Sequence, residues 1–148
     1  MRIKILIGLL TVAAILAWTG MAAAQVAASA PKVQLPSGET VWDLTGDWDA
    51  LIEMYGGFTI PQTYPNVFRI TQTGSAFSAI RLRDNPPPSV GQAGSRSLQG
   101  ELEKNGFKRV EIVRGRGEAL PSKGQISEDG KKIILDDGFM VKVTLTRP

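Results

Sequence analysis

The 148-residue chain contains no cysteine and no histidine. Without cysteine there are no disulfides, and so none of the stapled frameworks of small secreted domains. There is also no cysteine to carry a lipid. The two absences together exclude Cys–His and Ser–His catalysis and the usual zinc sites. Only carboxylate, lysine or tyrosine chemistry is left. No phosphate loop or dinucleotide fingerprint occurs, and no pair of carboxylates can be placed at catalytic separation. The sequence reads as non-enzymatic, with no catalytic residue, no metal ligand and no cofactor.

Sustained helical periodicity is also missing, and the one long apolar run lies at the N-terminus. Arg2 and Lys4 precede an uncharged stretch from Ile5 to Trp18, and small residues follow, including Ala22-Ala23-Ala24 before Gln25. A basic start, an apolar core and small-x-small form the grammar of a secretory signal peptide. The expectation is export to a bacterial periplasm or beyond, with residues 1–24 removed. The competing reading is a retained anchor, because Ile5 to Ala24 is long enough to span a bilayer. In both cases the basic terminus stays cytoplasmic and the domain is exported. Cleavage would leave 124 residues, one domain's worth of chain with no membrane span. Removing Arg2 and Lys4 from the 17 basic residues leaves 15 against 14 acidic ones. The remaining charges alternate in sign rather than cluster, which argues against nucleic acid as a partner.

Residues 25–40 are rich in small residues and contain Pro31, Pro36 and Ser37-Gly38, the composition of a flexible leader. From Val41 the pattern changes to short period-two runs separated by turn residues. Phe139, Val141, Val143 and Leu145 fall on one face of the last run, and Met140, Lys142, Thr144 and Thr146 on the other. Asp136-Asp137-Gly138 suits a three-residue hairpin loop that would pair Leu135 with Phe139 and Ile133 with Val141. Lys104-Asn105-Gly106 likewise places Gly100 opposite Val110 and Leu98 opposite Ile112. Glu128-Asp129-Gly130 and Thr73-Gly74-Ser75 are further turns, the last with a register open to a slip of one.

These signals predict about eight strands, near 45–54, 67–72, 76–83, 97–103, 107–114, 122–127, 131–135 and 139–147. The expected fold is all-β, a small up-and-down antiparallel barrel over residues 41–148, because closure removes the exposed edges of a meander. A helix over Val41 to Met54 is the local alternative, which its β-rich surroundings oppose. The expected inward set is apolar: Trp48, Ala50, Ile52, Phe68, Ile70, Ile80, Leu98, Leu102, Val110, Ile112, Ile133, Leu135, Phe139, Val141, Val143 and Leu145. A barrel of eight strands can be filled by its own side chains or hold one small ligand, and the sequence leaves both open.

Leu44-Thr45-Gly46-Asp47-Trp48 opens the first long strand, and Thr146-Arg147 ends the last. Gly46-x-Trp48 with a terminal Arg147 resembles the lipocalin, fatty-acid-binding and avidin group of barrels. The resemblance implies that Trp48 plugs the closed end and that Arg147 lies across it. A guanidinium on an indole face is worth roughly 0.5–2 kcal/mol. Avidin-like recognition of biotin uses several pocket tryptophans, whereas beyond the leader only Trp42 and Trp48 remain, so biotin is not expected.

Other patterns have plainer explanations. Asp47, Asp49 and Glu53 share the face opposite Trp48 and lack the spacing of a calcium loop. Arg114-Gly115-Arg116-Gly117 is one copy without interleaved aromatics, a solvated loop. Two longer connections remain, Tyr55 to Asn66 and Asn85 to Gly94, and loops on a rigid barrel are where binding tends to reside. The first carries Tyr55, Phe58 and Tyr64 and lies opposite Trp48, as a lid on an open mouth would. The sequence supports two functions: non-catalytic binding of a small apolar ligand entered near these aromatics, or an envelope protein-binding module, such as an inhibitor or assembly factor, on a packed barrel.

Overall fold

The computed structural model describes residues 29–55, 60–86 and 91–148. The expected signal peptide and Phe58 lie outside them. Eleven strands follow in chain order: β1 (Lys32–Gln34), β2 (Thr40–Trp42), β3 (Gly46–Met54), β4 (Gln62–Thr73), β5 (Ala76–Arg81), β6 (Arg96–Glu103), β7 (Gly106–Val113), β8 (Ala119–Pro121), β9 (Lys123–Ile126), β10 (Lys132–Asp136) and β11 (Val141–Thr146). Nine of them form one sheet in the order β8-β7-β6-β5-β4-β3-β11-β10-β9, antiparallel at every step. The fold is all-β, a nearly closed up-and-down barrel.

The expected strand near 122–127 is part of a strand broken in two. β8 pairs with the second half of β7, β9 pairs with β10, and only Ser122 separates them. The Ser122 amide donates to the Val110 carbonyl at 2.9 Å, which holds the break against β7. Beyond it β9 packs against β7 without joining its ladder. The Phe107 ring packs onto Gly124 across this seam: a Cβ at Gly124 would come within 2.9 Å of the ring's Cε2. The ring also meets Phe77, with centroids 5.6 Å apart.

β1 and β2 lie in and beside the stretch whose composition suggests a flexible leader. They pair as a hairpin, Val33 opposite Val41. Its chain is tied to three turns at one end of the barrel. The Ala30 amide donates to Asp129 O at 2.6 Å, Glu39 Oε1 accepts from the Lys104 amide at 2.7 Å, and Leu35 lies beside Gly74. The sequence hides this because three-residue strands are too short to display a period; these tertiary contacts hold them.

Two registers differ from expectation. Leu135 pairs with Val143, and Ile133 with Leu145. Asp137 Oδ1 accepts from the amides of Phe139, Met140 and Val141 at 2.8–2.9 Å, which organises a longer loop than turn chemistry alone suggests. Phe139 is consequently 68% exposed rather than inward. In the β4–β5 turn Thr73 pairs with Ala76, a two-residue loop. That slip of one exchanges the faces of β5. Phe77, Ala79 and Arg81 are buried, and Ile80 is 38% exposed. The predicted pairings Gly100–Val110 and Leu98–Ile112 are present, with a register shift between Glu101 and Leu102.

Candidate functional site

The two ends of the barrel are built differently. At the end holding the β3 N-terminus, Trp48 is fully buried and its Nε1 donates to Leu44 O at 2.8 Å. Gly46 precedes it with φ +122°, a backbone region that glycine enters readily and other residues do not. The guanidinium carbon of Arg147 lies 4.7 Å from the Trp48 ring centroid, within cation–π range. Arg147 Nη2 donates to the Asp43 carbonyl. Gln72 bridges the neighbouring backbone, accepting from the Leu44 amide at 2.8 Å and donating to Trp42 O at 3.0 Å. Higher in this half, Phe77 occupies the space over Gly100, where a Cβ would come 2.9 Å from its ring.

The opposite half contains a cavity of about 220 Å³. Its walls are mainly apolar: Ile52 and Met54 from β3, Phe68 from β4, Ile112 and Val113 from β7, and Met140, Val141 and Val143 from β11 and its turn. An apolar cavity of about 150 Å³ is enough for benzene, so this one suits a body of about nine carbon atoms by the same proportion.

One corner is polar. Arg81 ends β5, lines the cavity and is only 6% exposed. Its Nε donates to Ser97 Oγ at 2.9 Å. Burial lowers its pKa from the usual arginine value, although arginine keeps its charge in proteins. Asn85 and Ser97 line the same corner. Asn66, also buried, donates to Asn85 Oδ1 at 2.9 Å and to Arg83 O at 3.0 Å, which fastens the chain leaving β5. The phase of β5 was the hindrance to finding Arg81 in the sequence. Phe77, Ala79 and Arg81 alternate as one face, but a charge in that series reads as outward.

At the rim Arg114 Nη2 meets Asp137 Oδ2 at 3.1 Å and ties the β7–β8 loop to the β10–β11 turn. Burial alone would raise the Asp137 carboxyl. The amides of Val141, Met140 and Phe139 and the Arg114 guanidinium outweigh it and hold the pKa below the usual carboxylate value. Tyr55 extends the β3–β11 pairing through its amide, which donates to Met140 O at 2.8 Å. Its hydroxyl donates to Asp136 Oδ1, and that carboxylate, with burial and further acidic neighbours, pushes the phenol up to about 12.

Of the aromatics singled out from the sequence, Tyr55 and Tyr64 are among the described residues, and they take different places. Tyr55 sits at the rim. The connection is shorter than expected, because β4 begins at Gln62, so Tyr64 is a strand residue. Tyr64 is buried, faces Ile52 across β3 and β4, and donates its hydroxyl to Gln62 Oε1. Among the described residues no cluster of three or more carboxylates could hold a metal ion. No protein-family model, curated protein or solved structure matches the chain.

Proposed function

We propose that the protein is an exported, lipocalin-like barrel that binds a small apolar ligand without catalysis, in the half away from Trp48. The observation that carries this is the asymmetry of the interior. Side chains fill the half around Trp48 and Phe77, while Ile52, Phe68, Ile112 and Val143 surround a cavity in the other. Binding sites for small molecules are mostly apolar concavities with a few polar groups. The Trp48–Arg147 stack supports the calycin-like assignment, and the basic-apolar-small N-terminus supports export.

Native mass spectrometry of the protein from its own envelope tests both parts. The expected species begins at Gln25 and carries a co-purifying small molecule. A species beginning at Met1 would make the N-terminus an anchor. A second reading, the envelope protein-binding module, draws on Ile60 and Phe139, exposed at 82% and 68% on the two connections at the cavity end. A stoichiometric protein partner with no small molecule bound would favour that reading.

A further inference from the structure

We infer that Arg81 anchors an acidic headgroup, so that the ligand is a monocarboxylate with a short aliphatic or small aromatic body. The inference rests on the reading that the cavity takes an apolar ligand, and it names the class.

Arg81 is the anomaly among the arginines that cross-link this barrel. Arg69 is paired with Asp47 at 2.7 Å, Arg109 meets Glu101 at 3.5 Å, Arg114 meets Asp137 at 3.1 Å, and Arg147 covers Trp48. Arg81 is more than nine-tenths buried, yet among the described residues no carboxylate lies within ion-pair distance of it. Among the described residues its one side-chain hydrogen bond uses Nε. A buried, uncompensated cation is costly to a fold. The packing nonetheless holds it in place: a Cβ at Gly91 would overlap Nη1, so that backbone seats the guanidinium. Apart from this corner and Arg114 at the rim, the walls of the cavity beside it are apolar.

A carboxylate matches the guanidinium fork in shape and charge. The charge inventory sets the valence. Arg114 is the other cation on the lining, and Asp137 already neutralises it. One net positive charge remains for the ligand, which suits a monoanion and disfavours a phosphate dianion. The cavity volume sets the length at about nine carbons, as argued above.

Isothermal titration calorimetry with octanoate, octan-1-ol and octylamine tests this on the wild-type protein and on Arg81→Met and Arg81→Gln. The wild type should bind octanoate on the order of tenfold or more tightly than octan-1-ol, the scale of a charge-assisted hydrogen bond, and octylamine most weakly. Both variants should bind octanoate no more tightly than octan-1-ol, and an unchanged far-ultraviolet circular dichroism spectrum reports that they fold. Octan-1-ol binding as tightly as octanoate in the wild type would overturn the anchor and leave the apolar-ligand reading standing. So would a variant that retains the preference. No binding of any of the three would overturn both.

Discussion

The two halves of this barrel use the same alternating strands for opposite ends. Around Trp48 the interior is filled, and apart from the buried Nε of Arg147 its polar side-chain atoms named above meet backbone groups of the fold. Trp48 Nε1 meets Leu44 O, Gln72 of β4 ties down the backbone of Trp42 and Leu44, and the β1–β2 hairpin crosses the turns below. Around Arg81 a volume is left unfilled and a charge is buried without an acid. The first arrangement secures the fold. The second costs stability, because a buried charge has lost its water without gaining a counter-ion.

The largest expected effect lies in the filled half. Trp48→Ala removes a fully buried indole and the platform under Arg147. It should cost about 3–5 kcal/mol by equilibrium denaturation, the scale of large core truncations. Met140→Ala, on the cavity wall and half-buried, should cost about 1 kcal/mol or less. Equal costs would erase the contrast between the halves.

A smaller effect is expected at the rim. The Asp137 carboxyl titrates below its unfolded value in the folded protein. Its contribution is therefore present above the unfolded value of about 3.9 and is lost as pH falls through the folded one. Asp137→Asn should cost roughly 1–3 kcal/mol at neutral pH, and its stability should decline less steeply than the wild type's below pH 4. Parallel acid limbs would show that Asp137 does not organise the turn.

The smallest effect concerns Tyr55. In a Tyr64→Phe background, ultraviolet titration should give a phenol midpoint near 12. Because the folded value lies above the unfolded value of about 10, the stabilisation is complete below pH 10 and fades as pH rises toward 12. A midpoint at the ordinary tyrosine value would mean that the Asp136 contact is absent in solution.

Much of the barrel was legible because alternation and turn chemistry agreed. Leu98 to Ile112 is the best example: Lys104-Asn105-Gly106 places the turn, and the apolar positions fall on one face. Trp48 and Arg147 are paired by the resemblance of Gly46-x-Trp48 and a terminal arginine to lipocalin-type barrels, and the pairing of β3 with β11 brings the two side chains together. The misplaced residues have specific causes. Asp137 enlarges its loop through three side-chain hydrogen bonds, which moves Phe139 into solvent. Ile80 and Arg81 exchanged faces because the β4–β5 turn is shorter by one residue. The same exchange hid the polar corner of the site, since a charged residue on an apolar face has no signature until its neighbours are known.

The claim that one half is hollow and the other filled can be tested without any assumption about the ligand. Xenon enters apolar cavities of this size. A crystal of the protein under xenon pressure should show an occupied site among Ile52, Phe68, Ile112 and Val143, and none beside Trp48. A cavity half without xenon, its volume taken by repacked side chains, would contradict the division of the barrel into a filled half and a hollow half.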